Sequence, residues 1–216
     1  MPEINRDLHG NAPDKSEYAL LLIDVINDLE FGHGDLLLRH AVPMAHRIAD
    51  LKRAARAHGV PVIYVNDNFG RWRSDFNAQV DHCLRDGVRG RPIAELLRPD
   101  KDDYFVLKPK HSGFYSTTLE VLLKYLEAHT VILTGMAANI CVLFTANDAY
   151  MRGFDVVVPF DCVASESPSS NTHALEQMER LLEADTSPAA SLDLAQIHSS
   201  GRDESDDRGE VGWAAG

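Results

Sequence analysis

Asp24, Lys108 and Cys141 each stand where an apolar run gives way to polar or small residues. Leu20-Leu21-Leu22-Ile23 ends on Asp24 and Tyr104-Phe105-Val106-Leu107 ends on Lys108, while Val131-Ile132-Leu133 leads through Thr134, Gly135 and small residues to Cys141. A carboxylate, an ammonium and a thiol are together the parts of a covalent catalyst. The thiol attacks a carbonyl, the carboxylate carries the thiol proton to the departing amine, and the ammonium balances the negative charge that develops. Short apolar runs bounded by turn residues read as buried parallel strands. In open α/β sheets ligands bind beyond the carboxyl ends of such strands, so these side chains are expected to converge there although far apart in sequence. Each also has a plainer explanation: Asp24 as a capping acid, Lys108 as a solvated strand-end lysine like Lys110, Cys141 as a small buried hydrophobe.

The elements that must position these groups alternate along the chain. The spacing predicts strands at about 18–24, 61–66, 103–108, 130–133 and 154–159, with a short sixth near 188–191. Between the first two, residues 43–58 place Met44, Ile48, Leu51 and Ala55 on one helical face, with Pro43 as the expected start and Gly59 just past the end. A helix between two strands makes the crossover that parallel pairing requires. Further helices are expected at about 116–128, 139–151 and 168–184, the last carrying Leu175, Met178, Leu181 and Leu182 inward, while the Gly-, Arg- and Asp-rich stretch before residue 103 reads as irregular. This rhythm is that of an α/β protein, a three-layer α/β/α sandwich around a mostly parallel sheet. Cys141 falls in the first turn of the helix at 139–151, where free amides and the positive end of the helix dipole are expected to lower its pKa.

The segments LLIDVINDL around Asp24, VLKPKHSGF around Lys108 and TGMAANICV around Cys141 together resemble the isochorismatase-like cysteine hydrolases, which include nicotinamidases and N-carbamoyl-amide hydrolases. The resemblance runs from about Tyr18 to about Ala190 and implies a Rossmann-like sandwich with a six-stranded sheet. It also implies Cys141 as nucleophile, Asp24 as base and Lys108 as electrostatic partner, the lysine standing four residues before the serine of an SxF motif, here Ser112-Gly113-Phe114. By the same resemblance the oxyanion hole consists of the backbone N–H groups of Ala137 and Cys141, beside a cis peptide between Met136 and Ala137. The implied reaction is hydrolysis of a small non-peptide amide, cyclic amide or carbamoyl compound through a thioester acyl-enzyme. Family nicotinamidases carry Asp-x-His and a second histidine after the second strand, whereas this chain reads Asn66-Asp67-Asn68-Phe69-Gly70-Arg71-Trp72. No metal and no cofactor are therefore expected. A nicotinamidase with an altered metal site is the second reading, and an inactive member serving as a binding module the third. Isochorismatases proper cleave a vinyl ether and lack the cysteine, so Cys141 argues against that reaction. Members are commonly oligomeric, which implies a homo-oligomer.

Phe31, Asn66, Phe69, Trp72 and Phe114 lie on or near the loops after the strands and are candidates for contact with substrate. Arg71 and Arg73 flank Trp72 and could hold a substrate carboxylate in a bidentate fork. The competing reading makes the aromatics core and pairs the arginines with Asp75 or the surface. Cys83 and Cys162 read as structural.

Composition bounds the rest. At 216 residues the chain can bury one sizeable core, and residues 18–198 are expected to form a single hydrolase domain, preceded by an arm at 1–17 and followed by a disordered acidic tail at 199–216. Lys and Arg number 21 against 33 Asp and Glu, a net charge of −12 with no basic stripe, so nucleic acid is not an expected partner. Three widely spaced cysteines fit neither a disulfide framework nor a zinc site. With no signal-like or membrane-length apolar run, a cytoplasmic location and a small-molecule substrate away from membranes are expected.

Overall fold

The computed structural model describes residues 15–70 and 75–194. The first strand shows how the sandwich is built. In β1 (Tyr18–Ile23), Leu20 and Leu22 enter one core while Ala19, Leu21 and Ile23 enter another. A strand covered on both faces has no need of polar alternation, which is why this run is apolar throughout.

After β1 come α1 (Gly34–Ala57), β2 (Val62–Asp67), α2 (Phe76–Arg85), α3 (Arg91–Leu96), β3 (Tyr104–Lys108), α4 (Leu119–Tyr125) and β4 (Thr130–Met136). A π-helical turn (Ala138–Val142) runs into α5 (Leu143–Met151), followed by β5 (Asp155–Val157), β6 (Val163–Ala164) and α6 (Pro168–Leu182). Every pairing among these strands is parallel, in the order β3-β2-β1-β4-β5, and β6 pairs with β4 beyond the end of β5. Helices α1, α2 and α3 cover one face and α4, α5 and α6 the other. The strand order turns around between β1 and β4, which opens a crevice at their carboxyl ends.

Four expectations about the elements are corrected. Helix α1 begins nine residues before Pro43, and the proline lies inside it. The buried stripe Leu37, Ala41, Met44, Ala45, Ile48 runs straight through that point, and Pro43 faces solvent, where water can serve the carbonyl it leaves unpaired. The stretch expected to be irregular contains α2 and α3; Asp75 caps α2 by accepting the Ala78 N–H at 2.8 Å, and Phe76, Gln79 and Cys83 turn inward. The sixth strand is Val163–Ala164, whereas Ala189–Ser191 is a 3-10 turn. Ala174, Met178 and Leu182 form the buried stripe of α6, four residues apart, and this leaves Leu181 exposed. Residues 1–14 of the expected arm at 1–17, and the whole of the expected tail at 199–216, lie outside the described residues. No helix among the described residues is long and apolar enough to cross a membrane.

Candidate active site

Asp24 follows β1 directly and adopts a left-handed backbone, φ 53°, a conformation aspartate accepts more readily than most residues. Its N–H still donates to Val65 O at 3.0 Å, so the turn away from the strand path begins at this residue. Lys108 is the last residue of β3, in register with Asp67 at the end of β2. Because β2 lies between β1 and β3, the lysine reaches Asp24 across it, and its stem is completely buried. Cys141 comes from the other side of the switch point, in the π-helical turn after β4. That approach needs Gly135: its φ is +108°, and a Cβ there would sit 2.1 Å from Ile23 O. The next peptide bond, Met136–Ala137, is cis.

The loop after Lys108 is tied to the cysteine turn. Gly113 N–H donates to Thr145 Oγ1 at 3.0 Å, and that hydroxyl donates to Cys141 O at 2.7 Å. Ser112 Oγ donates to the Asp148 carboxylate and accepts the Phe114 N–H at 3.1 Å. A side chain at Gly113 would meet Val65 Cγ1 at 2.8 Å, so the loop can lie this close only with glycine there. The Ser-Gly-Phe motif thus fixes Lys108 relative to Cys141. Across the turn, Ser165 Oγ donates to Asn139 Oδ1 at 2.9 Å and accepts the Asn139 N–H at 3.3 Å.

The three chemical groups meet. Lys108 Nζ lies 2.8 Å from Asp24 Oδ2 and 3.5 Å from Cys141 Sγ, so the one ammonium faces both the carboxylate and the thiol. Asp67, which the sequence did not single out as a site residue, places Oδ2 3.6 Å from the same ammonium and donates its N–H to Asp24 Oδ1 at 2.7 Å. Burial raises the Asp24 pKa, partly offset first by the charge of Lys108 and then by the nearby thiol. Burial alone would lower that of Lys108, but Asp24, Cys141 and Asp67 outweigh it and hold the lysine above its ordinary value. The Cys141 thiol is pushed up to about 12, first by burial and then by the Asp24 charge, with Lys108 pulling the other way. This corrects the expectation of a lowered value. The cysteine sits among buried apolar groups beside a carboxylate, which overrides the helix-end field. Burial thus favours the neutral thiol, with the Asp24 carboxylate held nearby by Lys108.

The other candidates divide. Phe31 and Phe69 are exposed on the loops after β1 and β2. Asn66 is fully buried and donates Nδ2–H to Ile26 O at 2.6 Å, bracing the loop after Asp24, while its buried Oδ1 has no hydrogen-bond partner among the described residues. Phe114, expected at a pocket wall, packs into the core with Phe154 at 5.8 Å between ring centres. Arg71, Trp72 and Arg73 lie outside the described residues. The donors do not suit a metal at the Asp67 position, since Phe69 stands where the histidine of Asp-x-His would be, and no cluster of three or more His, Cys, Asp or Glu is set to hold one among the described residues. His82 binds Asp28 and Asp86, and His111 packs on Phe144.

Three relatives show what the chain as a whole is similar to. The chain is 43% identical over 171 residues to the uncharacterized isochorismatase family protein YaaI of Bacillus subtilis, covering 79% of this chain and 93% of that one. It is 29% identical over 150 residues to the ureidoacrylate amidohydrolase RutB of Methylorubrum extorquens, a match spanning 58% of this chain and 59% of that enzyme. The crystal structure of N-carbamoylsarcosine amidase from Thermoplasma acidophilum superposes with a TM-score of 0.64 at 28% identity, over 82% of this chain and 99% of that one. Residues 18–190 match the Isochorismatase domain, so the chain belongs to the isochorismatase family.

Proposed function

We propose that the protein is a cysteine hydrolase of a small non-peptide amide, cyclic amide or carbamoyl compound, working through a thioester. The observation that carries the reading is the placement of one buried ammonium against both a carboxylate and a thiol, 2.8 Å from Asp24 Oδ2 and 3.5 Å from Cys141 Sγ. Cys141 Sγ attacks the carbonyl carbon as its proton passes to Asp24, whose raised pKa makes it a competent acceptor. Lys108 remains an ammonium and faces the negative charge as it moves from carboxylate to sulfur to carbonyl oxygen. The Ala137 and Cys141 N–H groups, next to the cis bond, are the oxyanion donors in this reading. Asp24 returns the proton to the leaving nitrogen as the C–N bond breaks. Water, deprotonated by Asp24, then cleaves the thioester and restores the thiol. RutB and the carbamoylsarcosine amidase, both named for hydrolysis of non-peptide C–N bonds, support the substrate class.

The reading includes a cytoplasmic homo-oligomer. The unpaired thiols of Cys83, Cys141 and Cys162 agree with a reducing compartment, and the outward Tyr125, Phe144 and Met151 offer apolar surface to a second copy. A metal-dependent nicotinamidase is the weaker reading, because the donor set at Asp67 does not suit a metal. An ammonia-release screen of nicotinamide, carbamoylated amino acids, ureido acids and cyclic amides, with and without zinc, separates the two. Metal-free turnover lost in Cys141→Ala is expected; turnover only of nicotinamide and only with zinc would overturn the proposal.

A further inference from the structure

We infer that Asp67 is a positioning residue, which sets the charge and place of Lys108 through its carboxylate while its main-chain N–H orients Asp24. The inference rests on the thiol mechanism proposed above and adds a fourth member to it. Three groups face the Lys108 ammonium: Asp24 from the end of β1, Asp67 from the end of β2 and Cys141 from the π-helical turn. Of these, Asp24 gains a proton and Cys141 loses one during the reaction. Asp67 alone stays out of the exchange, so it is the fixed charge against which the ammonium is held while its other neighbours change.

The geometry around Asp67 is built for such a role. Its two oxygens are divided between tasks: Oδ1 accepts the Phe69 N–H at 2.6 Å, and Oδ2 faces Lys108 at 3.6 Å. Its carbonyl accepts Gln79 Nε2–H at 2.9 Å, which ties the strand end to α2. Its N–H is spent on Asp24 Oδ1 at 2.7 Å, leaving Oδ2 of that carboxylate to Lys108. One residue therefore touches both partners of the central ion pair, one through the main chain and one through the side chain, and it is set in place by parallel register with Lys108.

Because the N–H belongs to the backbone, Asp67→Asn removes only the charge. The isosteric amide can still accept from Phe69 N–H. With that charge gone, Asp24 is the one carboxylate left beside Lys108 among the described residues, and the ammonium loses its proton more readily. The test uses the full-length protein with isotope-labelled lysine, following the Lys108 side-chain resonance, assigned by Lys108→Arg, as pH is raised. We expect Lys108 in Asp67→Asn to titrate about one pH unit or more below its wild-type value, with kcat/KM about tenfold lower and KM little changed. The alkaline limb of kcat/KM should move to lower pH by the same amount, and Asp67→Glu should return both toward wild type. The same Lys108 titration and the same alkaline limb in Asp67→Asn as in wild type would overturn the inference. The resonance experiment needs no turnover, so it stands even if the substrate class above fails.

Discussion

Two buried lysines occupy this domain, and the contrast between them separates structure from chemistry. Lys52 on α1 lies 2.7 Å from Asp103 and 3.1 Å from Asp100, donates to Tyr64 Oη and Arg98 O, both at 3.0 Å, and shares its two carboxylates with Arg56. Each proton of that ammonium has a close, chemically inert acceptor. Lys108 has one close partner, Asp24, and two at 3.5 and 3.6 Å, one of them a thiol. A saturated cation holds elements together. One with slack, facing a nucleophile, is free to follow a developing charge.

The sharpest way to break this comparison is to remove each charge in turn. Lys108→Met should lower kcat/KM about a thousandfold or more, since it acts on charge that exists only during the reaction. Lys52→Met should keep kcat/KM within about threefold but cost about 1–2 kcal/mol in urea unfolding, because Asp103 loses its ammonium and keeps only Arg56, at 2.8 Å. Equal losses of activity in both variants would erase the distinction.

A smaller effect sharpens the account of the thiol. Asp24 is the second cause of the high Cys141 value, so Asp24→Asn should bring the thiol down from about 12 by about two pH units while hydrolysis is lost. Ultraviolet thiolate absorbance against pH, corrected with Cys141→Ala, reads it. An unchanged titration would mean that burial alone sets the thiol.

The smallest effect belongs to the rim beside the site. His82 bonds Asp86 at 2.7 Å and Asp28 at 3.1 Å, and those bonds raise its pKa. A group protonated more tightly when folded stabilises fully below its unfolded pKa and loses that contribution as pH rises through the folded one. Wild type should therefore exceed His82→Gln by less than about 1 kcal/mol at pH near 6, with the difference fading on the alkaline side. A difference that grows with pH would reverse the assignment.

What was legible depended on how much local signal each feature carries. The strand ends at Asp24 and Lys108 are readable because an apolar run stops abruptly at a charged residue, in β1 buried on both faces and in the edge strand β3 apolar throughout although Phe105 faces outward. Pro43 misled because a proline inside a helix and one at its start look alike without knowing which face meets solvent. The N-cap Asp75 and the inward Phe76, Gln79 and Cys83 marked α2, but glycine and charged neighbours obscured them. Two-residue β6 has no periodicity to read; it exists because β4 continues past the end of β5. At the site, Asp67 was passed over since its role depends on parallel register with Lys108, which only the sheet order supplies. The raised thiol pKa likewise follows from tertiary burial, to which a helix-start pattern is blind.

The measurement that bears most directly on the central claim is mass spectrometry of the Cys141 peptide, quenched at short times during turnover of a substrate found by the screen. The account predicts an acyl group on Cys141 that appears before the carboxylic product and disappears as substrate is exhausted. Product accumulating while Cys141 keeps its unmodified mass at every time would contradict it.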